Sequence, residues 1–146
     1  MDIQQLLQAT ITHKASDLHL LVGYPPMLRV DGRLGSVPQT TPLTEEESQN
    51  LVFAMLSNQQ RDLLLVNKEI DFSFSLADQG RFRVNAYFER GRLAAALRLI
   101  PIKICTIDEL NLPPICHRFA QLRRGFVLVT GPTGHGKSST LAAIID

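Results

Sequence analysis

Apolar residues alternate with polar or small ones over three consecutive stretches in the middle of the chain, and this period of two marks half-buried strands. Ile70, Phe72, Phe74 and Leu76 are separated by Asp71, Ser73 and Ser75. Phe82, Val84, Ala86 and Phe88 alternate with Arg81, Arg83, Asn85 and Tyr87, while Leu93, Ala95, Leu97 and Leu99 alternate with Ala94, Ala96 and Arg98. If Arg90-Gly91 is a two-residue turn, Phe88 faces Leu93, Val84 faces Leu97 and Phe82 faces Leu99. One register then puts every apolar residue of this hairpin on one side. Pro101 ends it.

Before these strands the period is helical. Ile3, Leu6, Leu7 and Ile11 predict an amphipathic helix ending near His13. Residues 18–22 form a short strand-like run, Gly23-Tyr24-Pro25-Pro26 is turn chemistry, and residues 27–30 followed by Asp31-Gly32 suggest a hairpin, which together make a small meander. Thr44 and Glu47 form a capping-box pattern ahead of Leu51, Val52, Met55 and Leu56, so a helix is expected over about 45–57, with another over 59–66. Residues 102–114 read as an ordered crossing segment or linker, and 115–122 as a helix. Residues 126–130 form a continuous apolar strand of the kind buried on both faces in a parallel sheet, followed after a glycine-rich loop by a helix over 139–145.

At 146 residues the chain allows one ordinary domain and a piece of a second. The apolar fraction of 45% and charged fraction of 20% are those of a globular protein. A formal net charge of +1 gives no general reason to expect nucleic acid as a partner, so any charge-driven function is local. No run approaches the roughly 18 apolar residues of a membrane span, and no signal-peptide layout opens the chain, so a cytoplasmic protein is expected. Cys105 and Cys116 form neither a CxxC pair nor a His/Cys cluster; both read as buried or half-buried free thiols rather than zinc ligands or a disulfide.

The chemistry concentrates near the end of the chain. Gly131-Pro132-Thr133-Gly134-His135-Gly136-Lys137-Ser138, with Ser139 following, has the P-loop spacing of two glycines with four residues between them, then Lys and Ser. Strand before and helix after supply the context that such a match requires. Glycines let the loop curl so that backbone N–H groups converge on phosphate oxygens, and the N-terminus of the following helix adds its partial positive charge. Lys137 is placed to pair with the β- and γ-phosphates of ATP, and the Ser138 hydroxyl to complete a Mg²⁺ shell. His135 occupies a variable position of the motif.

On the hairpin register, Arg83 sits opposite Arg98 on the polar face, with Arg81 two residues away on the same side. Facing like charges cost stability unless something negative offsets them. Two readings stand. The arginines form an anion site, and with a P-loop in the same chain the anion is the triphosphate of a neighbouring subunit; or they are a solvated edge with local Asp/Glu partners. Asp17 reads as a strand start or turn cap, and His19 as structural, since no partner stands at metal spacing. His13 and His117 show no role.

The segments Ala15-Ser16-Asp17-Leu18-His19-Leu20, Gly23-Tyr24-Pro25-Pro26-Met27 with Arg29 and Gly32, Asp71-Phe72-Ser73-Phe74-Ser75, Gly80-Arg81-Phe82-Arg83-Val84-Asn85-Ala86, Leu97-Arg98-Leu99-Ile100-Pro101 and the P-loop resemble the type IV pilus retraction ATPases of the PilT group, within the secretion and pilus-assembly ATPases. The resemblance implies an α+β chain: a PAS-like domain over residues 1–100, an interdomain linker over 101–114, and over 115–146 the first strand, P-loop and helix of a truncated RecA-like α/β ATPase domain. It implies a hexameric motor whose ATP hydrolysis removes pilin from the fibre base and produces twitching motility. The motor would be cytoplasmic, peripheral to the inner membrane, and partnered by the platform protein of the pilus machine. In the family, arginines matching Arg81, Arg83 and Arg98 project toward bound nucleotide.

Two departures stand out: His135 replaces the family's usual serine, and the acidic box with its general base, the Walker B segment and the histidine box would lie beyond Asp146. The chain by itself is therefore expected to be inactive. The alternatives are an accessory retraction ATPase, a pilus-assembly or type II secretion ATPase, disfavoured by the short stretch ahead of the first helix, or a non-catalytic truncated module that binds a full-length partner.

Overall fold

The structure, a computed structural model, describes residues 2–77, 79–100, 104–132 and 135–146. The chain divides into two compact units, Met1–Ile102 and Lys103–Asp146.

The first unit opens with helix α1 (Ile3–Thr12), capped by Asp2, whose side chain and that of Gln5 exchange hydrogen bonds with each other's backbone N–H. Strand β1 (Asp17–Leu20) follows, then β2 (Met27–Val30) and β3 (Arg33–Ser36). Asp31 and Gly32, between β2 and β3, have φ of 48° and 79°. Positive φ at both central residues is the signature of a two-residue hairpin whose twist suits the flanking strands. β1 stops at Leu20, two residues before the expected end, and Val22 instead makes an isolated parallel bridge with Leu43.

Helix α2 (Glu45–Phe53) carries the expected capping box, with the Thr44 side chain accepting from the Glu47 N–H and the Glu47 carboxylate accepting from the Thr44 N–H. The expected single helix to residue 57 ends earlier. Ser57 has been recruited as the N-cap of helix α3 (Asn58–Asn67), in a second box with Gln60 that the sequence reading overlooked. A cap residue needs extended backbone, so the chain leaves the helix before it.

Strands β4 (Glu69–Leu76), β5 (Gly80–Glu89) and β6 (Arg92–Ile100) complete one antiparallel sheet in the order β3-β2-β1-β6-β5-β4. The β5–β6 register is the expected one: Phe88 opposite Leu93, Val84 opposite Leu97, Phe82 opposite Leu99 and Arg83 opposite Arg98. Arg90 and Gly91, with φ of 51° and 79°, form the two-residue turn. Leu18, Leu20, Phe82, Val84, Ala86, Leu93, Ala95 and Leu97 form one buried cluster with Ile3, Leu6 and Leu7 of α1, Leu51 and Val52 of α2, and Leu64 of α3. Helices thus cover one face of the sheet and leave the other for charged side chains.

The second unit contains helices α4 (Ile115–Gln121) and α5 (Lys137–Ile145). Its buried cluster is Ile107, Cys116 and Ala143, with Leu110, Leu112 and Ile144 packed against it. Ile107, Leu110 and Leu112 fall in the segment read as a linker; Pro101, Ile102 and Lys103 lie outside the described residues. The expected strand over 126–130 is absent: the stretch pairs with no described strand, and Phe126, Val127 and Leu128 are 86%, 43% and 71% exposed. A strand is defined by the ladder it makes with a neighbour, and apolar sequence does not supply that neighbour. Cys116 is buried as expected, but Cys105 is exposed.

Candidate phosphate-binding sites

The uncovered face of the first unit's sheet brings polar residues into rows because cross-strand partners share a face. One row runs across β2, β1, β6, β5 and β4 as Arg29, Asp17, Arg98, Arg83 and Ser73. The adjacent row contains His19, Ala96, Asn85 and Asp71. Arg81 lies one step further along β5, between Ser75 and Ile100. Asp17, His19, Asp71, Arg83, Asn85, Ala96 and Arg98 line an open cavity of about 310 Å³.

The two facing arginines are balanced differently. Arg98 donates from Nε to Asp17 Oδ1 at 2.9 Å, and Arg29 Nε lies 3.4 Å from Asp17 Oδ2. The Ser16 hydroxyl donates to the same Oδ2 at 2.8 Å. Arg83 Nη2 is 3.6 Å from Asp71 Oδ2, with both side chains more than half exposed, and Arg81 Nη2 donates to Ser73 Oγ at 3.3 Å. The second pair is loose and solvated, in a range where ion pairs contribute little. On these rows four arginines stand with two aspartates, so this end of the face carries an excess of positive side chains.

Burial pushes the Asp17 carboxyl up, but the Ser16 hydroxyl and the Arg98 guanidinium outweigh it and hold the group below the usual carboxylate value. For His19, burial and the charge on Arg29 depress the imidazole below its ordinary value, against the pull of Asp17, and keep the ring neutral near pH 7. Its Nε2 is buried and meets no hydrogen-bonding partner among the described residues.

Sequence reasoning placed Arg81, Arg83 and Arg98 on one face but gave no part to Asp17, Asp71 or Arg29. The missing information was the β1–β6 pairing, which joins Asp17 to Arg98 across 81 positions of sequence. Alternation along β1 does put Asp17 and His19 on one side; it does not say which strand lies beside them.

In the second unit, Gly131 has φ of 151° and Gly136, at 74°, is the left-handed N-cap of α5. Both conformations favour glycine. The helix starts at Lys137, two residues earlier than expected, and its N-terminus has no side-chain cap. The first-turn N–H groups of a helix have no partner within it, so this end suits an anion. Lys137 Nζ donates to the Pro132 carbonyl at 2.6 Å, placing the ammonium against the loop, while Ser138 and Ser139 are exposed on the first turn. His135 is also exposed. Thr133 and Gly134 lie outside the described residues. The described part of the loop therefore fits a phosphate group: an open helix end, an adjacent ammonium, and a hydroxyl available for Mg²⁺.

No family model matches the chain. The type IV pilus retraction ATPase PilT of Pseudomonas aeruginosa is 42% identical over 146 residues, covering 100% of this chain and 42% of that protein. The type IV pilus ATPase PilU of the same organism is 39% identical over 145 residues, covering 99% of this chain and 38% of that protein. The chain thus spans about two fifths of the length of these curated relatives. A crystal structure of the pilus retraction motor PilT with bound ADP matches with a TM-score of 0.86 at 38% identity, over 99% of this chain and 42% of the other. Sequence and fold agree along the whole chain, which belongs with the PilT-type pilus retraction ATPases of the secretion-ATPase superfamily and represents their N-terminal portion.

Proposed function

We propose that the chain is the N-terminal part of a hexameric, ATP-hydrolysing motor that retracts type IV pili, its first unit a PAS-like domain and its second the beginning of a RecA-like ATPase domain. The observation that carries this reading is the loop at α5, where Gly136 in left-handed conformation opens an uncapped helix beside the Lys137 ammonium. ATP supplies the phosphoanhydride bond, and Mg²⁺ screens its charge. The backbone N–H groups from Gly136 to Ser139 hold phosphate oxygens; Lys137 exchanges the Pro132 carbonyl for the β- and γ-phosphates; and the Ser138 hydroxyl completes the metal shell. Residues 131–139 include no carboxylate, and the roles assigned to them here are in positioning phosphate.

Arg81, Arg83 and Arg98 are assigned to phosphate charge, met from a neighbouring subunit of the hexamer. The motor works in the cytoplasm against the inner membrane at the pilus base, with the platform protein as its partner; among the described residues no helix is long and apolar enough to cross a membrane. Lys137→Ala in the pilus motor of living cells is the test. Cells should keep assembled pili and lose twitching motility, because the substitution removes the phosphate-pairing ammonium and leaves the first unit intact. Undiminished twitching, with the variant subunit as the cell's sole copy, would overturn the assignment.

A further inference from the structure

Among the arginines of the sheet face, Arg98 alone combines an anchored stem with an open head. Its Nε is held at 2.9 Å by a carboxylate only 10% exposed, whereas its own side chain is 72% exposed. Its two terminal nitrogens make no hydrogen bond among the described residues. Arg29 is the opposite case: Nε approaches Asp17, Nη1 donates to the Gly32 carbonyl at 3.3 Å, and the side chain is 34% exposed, so it braces the carboxylate from the far side. Arg83 has no such anchor, since its partner Asp71 is 3.6 Å away and itself 55% exposed. Asp17 is carried on β1 between β2 and β6, well inside the sheet, and the Ser16 hydroxyl fixes its second oxygen. Backbone pairing, a neighbouring hydroxyl and Arg29 therefore all converge on a carboxylate whose remaining contact is Arg98.

We propose that Asp17 is a positioning residue: it grips Arg98 by Nε and presents the outer edge of the guanidinium, with its paired N–H groups, to a phosphate. The inference rests on the reading of this face as a phosphate site and adds the residue that orients it. A planar guanidinium bonds phosphate through parallel N–H groups, so its orientation matters as much as its charge. An arginine free to rotate must be ordered when the anion arrives, and a pre-held one binds more tightly for the same contact.

Charge and orientation predict opposite signs for one substitution. Asp17→Asn removes a negative charge from beside an anion site, which by Coulomb attraction alone tightens anion binding. Loss of the anchor weakens it. The experiment titrates inorganic tripolyphosphate into the 146-residue chain by calorimetry at low salt, in a Lys137→Ala background that removes the ammonium from the competing loop of residues 131–139. Asp17→Asn should weaken binding about fivefold, and Asp17→Asn combined with Arg98→Ala should bind no more weakly than Arg98→Ala alone, because coupled residues do not add. Equal or tighter binding by Asp17→Asn, when Arg98→Ala is weaker than the parent, overturns the positioning role and leaves the phosphate site standing. No binding by the parent, or equal binding by Arg98→Ala, overturns the phosphate site itself and the proposal with it. The parent chain also gives a test that needs no variant at Asp17: the Arg98 Nε–H resonance should exchange with solvent at least tenfold more slowly than that of Arg83. Equal exchange rates for the two overturn the anchor.

Discussion

The two units answer the same kind of sequence signal differently. In the first, twenty buried apolar residues among those described close one cluster, and each alternating run finds a strand beside it. In the second, three buried residues among those described form the cluster, and the apolar run 126–130, as rich in strand-forming residues as any in the chain, pairs with nothing described. A period of two or an apolar run states what a segment can do; a partner decides whether it does it. The same contrast separates the candidate sites. The arginine face is built on a six-stranded sheet, with its side chains spaced by cross-strand registers, whereas residues 136–139 sit on a helix end in the unit with little core.

Substitution in the two cores should expose the difference most strongly. Phe82, fully buried in the first cluster, should cost about 3–5 kcal/mol when changed to Ala. Cys116→Ala, at a site 7% exposed in the second, should shift denaturant unfolding monitored on the first unit by less than about 0.5 kcal/mol. Comparable losses would show that the units unfold as one and that the contrast is not energetic.

Most of the first unit was legible because its signals are local. Thr44 and Glu47 mark a helix start three residues apart, and Arg90-Gly91 closes a hairpin whose two strands are adjacent in sequence, so one register satisfies them. What stayed hidden was non-local. Nothing in residues 16–20 says that they insert between β2 and β6, so the Asp17–Arg98 contact, the centre of the charged face, had no sequence signature. The glycine and lysine spacing of residues 131–138 is plain in the sequence, yet the strand expected ahead of it required a neighbour that no pattern in residues 126–130 supplies. The helix boundary near residue 57 failed for a different reason: Ser57 serves equally well inside a polar helix face or as a cap, and the cap won.

A smaller effect tests whether the charged face is coupled to the stability of the first unit. The folded-state value of His19 lies below its ordinary one, so the unfolded chain takes up the proton first. Stability is then complete above about pH 6.5 and falls as pH drops from there toward the lowered folded-state value, with Arg29 and Arg98 opposing the new charge and Asp17 favouring it. The melting temperature should decline over that window, and His19→Gln should flatten the decline. An unchanged slope in the variant would place the pH sensitivity elsewhere. Asp17 acts at lower pH: its stabilisation is present above about 3.8, the ordinary carboxylate value, and is lost below it.

Native-state hydrogen exchange on the 146-residue chain tests the central contrast most directly, because it reads backbone pairing residue by residue. Amides of Phe82, Val84, Leu97 and Leu99, paired within the sheet and backed by the large cluster, should exchange only through global opening of the first unit. Those of Phe126, Val127, Leu128 and Val129 should exchange at least a hundredfold faster, close to the rate of an unpaired chain. Protection at residues 126–129 equal to that of the β5–β6 hairpin, in a monomeric sample, would contradict the account.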